Sequence, residues 1–342
     1  MNRRLPTRTR RHPATKMALA AIAVTAVLAA CGGGNAGQDT TATTPFTVML
    51  NWTPNAHHLG LYVADQRGWY DDAGLDVRIV EPGADGVATA LAAGQADIGI
   101  TVAESLLPAR AAGVPVVSIA AILPHNDSSL IALADRGITR PRDLEGKRYG
   151  GFGGALETEL ISRLVECDGG DPNLVQFVEV GDVDYLAGMD QDAFDLAWVF
   201  SGWDALRATE LEGREVTELR FADYLDCIPD WYTPLFAASE DAVDTDADSL
   251  RTFLEVTRRG YDAAANDPTA AANDLLTAVP ETDSDLIHAA ATYYADRFAD
   301  PGTEWGVQDD QVWTDFAAFA RDAGLIDNDI DVDAAFTNEL LD

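Results

Sequence analysis

Eight consecutive residues, Asn51-Trp52-Thr53-Pro54-Asn55-Ala56-His57-His58, put an indole, two carboxamides and two imidazoles side by side. Such a set suits a flat nitrogen heterocycle. The ring needs aromatic faces above and below it, with donors and acceptors in its plane. Trp52, Trp198, Trp203 and Tyr232 are the candidate faces, and Asn51, Asn55, His58, Glu104, Ser105 and Glu157 are the candidate edges. A carboxylate accepts strongly from ring amino groups, which gives Glu104 and Glu157 a use. Each candidate also has a structural alternative. Trp52 and Trp198 could be core, and His58 could cap the helix that follows it. Glu104 and Glu157 could simply be charges favoured near a helix N-terminus. The loop Gly150-Gly151-Phe152-Gly153-Gly154 precedes a helix and could hold an anion on its N–H groups, or be only a tight turn. No Gly-Lys-Ser/Thr follows it, so nucleoside triphosphate binding is not expected. No nucleophile elbow or zinc motif is present, and no cofactor or metal is expected.

These residues need a scaffold, and the hydrophobic pattern supplies one. Phe46–Leu50 alternates as a strand, and Asn51–His58 follows it directly. Helical spacing from Leu59 to Arg67, alternation over Leu75–Val80, an Ala-rich helix over 86–93, a strand over 97–102 and a helix over 104–112 continue the rhythm. The unbroken apolar run Val114–Ile122 reads as a strand buried on both faces. This β-α-β alternation predicts a mostly parallel sheet covered by helices, with ligands bound beyond the carboxyl ends of its strands. The rhythm restarts with a strand over 148–152, a helix over 156–166 and strands over 175–180 and 196–200. Helices over 250–266, 268–279, 284–294 and 308–323 finish the chain. The expected fold class is α/β: two lobes joined by two chain crossings, with a helical C-terminal part. The expected division is 46–135 with 235–342 for lobe 1 and 136–234 for lobe 2.

The N-terminus reads differently. Arg3, Arg4, Arg8, Arg10, Arg11 and Lys16 precede an apolar stretch, Met17–Ala30, that is too short to span a bilayer but suits a signal peptide. It ends Leu28-Ala29-Ala30-Cys31, which resembles a bacterial lipobox. Residues 1–30 are therefore expected to be removed, Cys31 to carry lipid at the outer face of the cell membrane, and 31–45 to be a flexible tether. Arg10-Arg11 hints at twin-arginine export, but His12-Pro13-Ala14 does not continue that pattern. With 57 acidic against 23 basic residues the net charge is −34. That excludes nucleic acid and anionic-lipid partners and is a poor field for a phosphate or sulfonate ligand. Export also places Cys167 and Cys227 where a disulfide could form; two unpaired, partly buried thiols are the alternative.

The segment Asn51 to Ala64 closely resembles the signature of the thiamine-pyrimidine family, which comprises ThiY-like periplasmic proteins and the fungal pyrimidine synthases. Glu81-Pro82-Gly83, Ala92 to Gly99, Glu104-Ser105, Ala111 to Ala121, Asp143 to Lys147, Asp195 to Trp203, Trp305 to Gln308 and Thr337-Asn338-Glu339 extend the resemblance over nearly all of 46–342. The resemblance implies a type II periplasmic-binding-protein fold. It implies a monomeric solute-binding protein that delivers a pyrimidine precursor to the permease and ATPase of an ABC importer. His58, on the signature histidine, would then face the ligand. Riboflavin or another flat heterocycle is the alternative ligand, and a lipid-anchored sensory module is the alternative use. The synthases need a lysine to hold pyridoxal phosphate. Only Lys16 and Lys147 exist, Lys147 lies in an apparent surface turn, and the synthases' cysteine-rich motif is replaced by Trp198-Val199-Phe200. An enzyme is therefore not expected.

Overall fold

The computed structural model describes residues 43–84, 86–181, 183–326 and 330–341. The expected signal segment, most of the expected tether and Cys31 lie outside the described residues. The chain opens with β1 (Thr44–Met49), two residues earlier than its alternation suggests, so Thr44 and Pro45 belong to the sheet and not to a tether. Then come α1 (Leu59–Gln66), α2 (Trp69–Asp72), β2 (Leu75–Val80), α3 (Val87–Ala92), β3 (Ile98–Thr101), α4 (Ala103–Ala111) and β4 (Val116–Ala121). All six residues of β4 are buried, as its apolar run requires. The chain next crosses to a second sheet through β5 (Ser128–Leu133), β6 (Arg148–Gly151), α5 (Ala155–Cys167), β7 (Gln176–Glu179), α6 (Tyr185–Asp190), β8 (Leu196–Phe200) and β9 (Val216–Arg220). It returns as β10 (Leu235–Ser239) and ends in α7 (Glu240–Thr245), α8 (Ala247–Asn266), α9 (Pro268–Ala278), α10 (Ser284–Tyr294) and α11 (Asp310–Asp322).

The strand orders are β2-β1-β3-β10-β4 and β7-β6-β8-β5-β9. Both sheets are mixed, which corrects the mostly parallel sheet expected from the alternation. β10 inserts antiparallel between β3 and β4. β5 runs antiparallel to both β8 and β9. The returning strand enters the first sheet from the far end of the chain, and no local periodicity announces such a pairing.

Alternation along β1 turns Phe46 and Val48 toward one face, where they join Ile98, Ile100, Phe236 and Phe253 in the core under α1 and α8. These helices approach unusually closely where Gly60 meets Gly260. A Cβ on Gly260 would lie 2.0 Å from the Gly60 carbonyl oxygen. The acidity of the chain is partly spent on helix starts. Asp184, Asp267, Asp283 and Asp309 each accept a backbone N–H at the head of α6, α9, α10 and α11, which satisfies otherwise orphaned donors.

Two crossings, 122–127 and 221–234, join the sheets, and they are tied together. His125 Nδ1 lies 2.6 Å from Asp230 Oδ2, its Nε2 lies 3.1 Å from Asp300 Oδ2, and Asn126 N donates to Asp230 Oδ1 at 2.9 Å. The Asp230 hydrogen bond raises the His125 pKa from 6.5 to about 9, against the opposing effect of partial burial. A group whose folded pKa lies above its unfolded value stabilises fully below the unfolded value and loses that contribution as pH rises through the folded one. The brace should therefore act fully below pH 6.5 and fade by about pH 9. Urea midpoints should fall across that window, and His125→Gln should flatten the fall. An equal fall in the variant would assign it to other groups. A second tie is covalent: Cys167, at the end of α5, is disulfide-bonded to Cys227 in the second crossing, with a Cα–Cα distance of 5.7 Å. Of the two alternatives left open by the sequence, the bonded one holds.

Candidate functional site

β1, β2 and β3 run parallel to one another. At their carboxyl ends lies a cavity of about 420 Å³. Asn51 and Pro82 line it from the ends of β1 and β2, Thr89 from α3, Thr101 and Val102 from the end of β3, and Ser105 from the first turn of α4. Two of the expected edge residues, Asn51 and Ser105, are therefore brought together. Thr89 and Thr101 were not singled out from the sequence. Thr101 ends a strand on the ligand-bearing edge, and that position was the signal available for it.

The segment behind the cavity is held by its own hydrogen bonds. Asn55 caps the short helical turn at 56–58: its Oδ1 accepts from His57 N at 2.9 Å and its Nδ2 donates to Thr53 O at 3.0 Å. With both ends of its amide occupied inside the loop, Asn55 is a cap and not a ligand edge. His58 is fully buried. Its Nδ1 accepts from Asn55 N at 3.2 Å, and its Nε2 lies 3.0 Å from Asn51 Oδ1. The expected ligand-facing histidine thus reaches the cavity only through Asn51. Burial lowers the pKa of both His57 and His58 to about 3, so both rings are neutral.

Of the expected aromatic faces, two meet each other outside the cavity lining. Trp52 is 47% exposed beside Asn51. Its ring stands edge-on to Trp203, which follows β8 in the second lobe, with centroids 6.5 Å apart. The pair therefore spans the cleft. Of the other two candidates, Tyr232 is buried in the core and Trp198 is half-buried against it. Trp198 packs on Phe221 and Trp231 at 5.2 and 6.1 Å. Tyr232 is buried against Trp313, and its hydroxyl accepts from Asp309 N at 2.7 Å.

The two acids divide. Glu104 Oε2 accepts from Trp231 Nε1 at 3.0 Å, and burial raises its carboxyl pKa to about 7. Glu157 is consumed entirely. Oε1 accepts from Phe152 N at 3.1 Å and Tyr149 Oη at 3.0 Å, while Oε2 accepts from Gly153 N at 2.8 Å and Gly154 N at 3.1 Å. The glycine loop does hold an anion, but the anion is the chain's own carboxylate at the start of α5. Glu157 is therefore a capping group with nothing left for a ligand.

Sequence reasoning also missed a buried hub in the first crossing. Asp127 Oδ1 accepts from Tyr293 Oη at 2.7 Å, and its Oδ2 accepts from Tyr294 Oη at 2.7 Å and Gly202 N at 2.9 Å. His57 Nε2 lies 2.8 Å from the Tyr294 hydroxyl. No cluster of His, Cys, Asp and Glu able to hold a metal occurs among the described residues.

Known proteins agree with this architecture. The alkanesulfonate-binding protein SsuA from Xanthomonas axonopodis pv. citri, solved with MOPS, superposes with a TM-score of 0.65 at 16% identity, covering 86% of this chain and 98% of that one. A ligand-binding component of an ABC-type import system from Staphylococcus aureus gives a TM-score of 0.66 at 15% identity, over 87% and 98%. The fold is that of the type II periplasmic binding proteins. In sequence, a formylaminopyrimidine-binding protein of Halalkalibacterium halodurans is 26% identical over 91% of this chain and 94% of its own. A 4-amino-5-hydroxymethyl-2-methylpyrimidine phosphate synthase of Legionella pneumophila is 25% identical over 86% and 92%. The NMT1/THI5-like profile matches residues 55–271, more than half of the sequence, and the chain therefore belongs to the NMT1/THI5-like family.

Proposed function

We propose that this protein is the extracytoplasmic solute-binding component of an ABC importer and binds a thiamine pyrimidine precursor, either formylaminopyrimidine or hydroxymethylpyrimidine. The observation that carries this reading is the cavity of about 420 Å³ at the carboxyl ends of β1–β3, lined by Asn51, Thr89, Thr101 and Ser105; Trp52, next to Asn51 in the chain, meets Trp203 of the second lobe edge-on at 6.5 Å. A cavity of that size suits a single small ring. Asn51 and Ser105 supply its edges, Glu104 stands one residue beyond, and the two lobes close by hinge motion about the crossings. In this reading residues 1–30 are cut away and lipid on Cys31 anchors the chain outside the membrane. Lobe 1 comprises 46–135 with 235–342, lobe 2 comprises 136–234, and the closed monomer docks on a permease and its ATPase.

The position of the lysine favours binding over pyrimidine synthesis. Lys147 immediately precedes β6, at the opposite end of that strand from the glycine loop, and its Nζ donates to Arg136 O at 2.6 Å. An amine held there has no access to an aldehyde in the cavity.

The test is a thermal-shift series on residues 32–342 with both pyrimidines, thiamine, riboflavin, pyridoxal phosphate, taurine and nitrate. A ligand that binds only the folded state raises the melting temperature. The pyrimidines alone should do so, and Trp52→Ala should weaken them roughly tenfold or more. A rise with riboflavin or taurine instead, or with none of the panel, would remove the pyrimidine assignment.

A further inference from the structure

The hydrogen-bond polarity at the cavity wall follows from one buried imidazole. His58 Nδ1 receives the backbone N–H of Asn55 at 3.2 Å. A backbone amide is always a donor, so Nδ1 is the unprotonated acceptor nitrogen. A neutral imidazole then carries its only proton on Nε2. The group 3.0 Å from Nε2 must be an acceptor, and that is Asn51 Oδ1. The opposite orientation of the amide is excluded, because it would set the Asn51 NH2 against an N–H. With Oδ1 turned to His58, Nδ2 is the other end of the amide. Among the described residues nothing accepts from it, while Asn51 lines the cavity. The chain Asn55 N–H → His58 → Asn51 thus ends in a donor.

We propose that His58 is a positioning residue that holds Asn51 with its NH2 toward the cavity, so that the ligand must offer a hydrogen-bond acceptor, a ring nitrogen or a carbonyl oxygen, at that edge. The inference rests on the cavity being the ligand site. It explains why a histidine next to the cavity is wholly buried: its function is to assign one orientation to a side chain that otherwise has two. It also makes the wall selective. A ligand with N–H or C–H at that edge leaves the Asn51 donor unpaired, which is costly in a closed cleft.

Two readouts separate this proposal from the function on which it rests. The first needs no ligand. Long-range ¹H–¹⁵N spectra of the ¹⁵N-labelled protein, with His58→Gln for assignment, should show His58 as the neutral Nε2–H tautomer throughout pH 5–8. Its shifts should move in Asn51→Leu. The Nδ1–H tautomer, or titration within that range, would overturn the proposal whatever the protein binds. The second uses 4-amino-5-hydroxymethyl-2-methylpyrimidine and its two analogues in which one ring nitrogen at a time is replaced by C–H. One analogue should bind the wild-type protein roughly tenfold more weakly. Asn51→Asp, which keeps the acceptor for His58 but removes the donor, should erase that difference. His58→Gln, which keeps a donor near the Nε2 position, should retain more affinity than His58→Asn, which does not. If the analogues bind as the parent does, the donor at Asn51 is not used and the proposal fails. If no pyrimidine binds, the ligand assignment fails while the tautomer spectrum still decides the orientation.

Discussion

Gly260→Ala should destabilise the protein by about 3 kcal/mol or more, above the usual range for a single added methyl because nothing nearby can yield. The new Cβ would fall 2.0 Å from the Gly60 carbonyl oxygen and 2.8 Å from its carbonyl carbon. Both are backbone atoms of α1, so no side-chain rotation relieves the clash. The helices must separate, and other contacts oppose that. Tyr261, next in α8, stacks on Trp305 at 4.7 Å and donates from its hydroxyl to His57 O at 2.7 Å. Displacing α1 therefore also shifts the turn that carries His57 and His58, directly behind the cavity. Urea unfolding followed by tryptophan fluorescence measures the loss, and pyrimidine binding should weaken in the same variant. Gly68→Ala is the contrasting control: its Cβ would meet nothing within 4 Å, so the cost there comes only from a φ of 69°. A loss at position 260 no larger than that at position 68 would show that α1 and α8 separate at little cost and that their close approach does not limit stability.

Replacing both Cys167 and Cys227 by Ser should cost about 4 kcal/mol. The bridge closes a loop of 60 residues, and the entropy it removes from the unfolded chain grows with the logarithm of loop length. Its location adds a specific consequence. Cys227 lies in the second crossing, three residues before Asp230, which braces His125 in the first crossing. The bridge therefore fixes one end of the hinge to α5 of the second lobe. Urea midpoints of the oxidised protein and of the double variant give the difference, and the native variant should still bind its ligand. A loss well below 1 kcal/mol would mean that the unfolded chain is already compact between the two positions, so that closing the loop removes little freedom.

The elements that were legible in the sequence are those encoded within their own length. β1, β2, β3 and β4, the helices α1, α3 and α4 between them, and α8 to α11 all follow from apolar spacing at period 2 or 3.6. Because Asn51–His58 directly follows a strand, the edge of the sheet bearing the cavity was legible too. Asn55 was misread as a ligand edge although its local signal was available: an Asn just ahead of a helical turn is a preferred cap.

What the sequence alone determined, then, is the alternation of strands and helices through β4 and the run of helices α8 to α11, the family resemblance along 46–342, and the place along the chain where the cavity forms. Tertiary structure decided which polar and aromatic groups remain free to act there. Glu157 looks like a ligand carboxylate until four donors from its own loop and β6 surround it. Tyr232 looks like a stacking platform until Trp313 of α11 covers it, and Trp198 is half-buried against Phe221 of the second crossing. β10 joins the first sheet, and Cys167 finds Cys227, only after the chain has returned from the second lobe. The physical reason is the same in each case. Periodicity records which face of an element is apolar and is written within a few residues. Whether a donor, acceptor or ring is already satisfied depends on partners brought from elsewhere in the chain by packing.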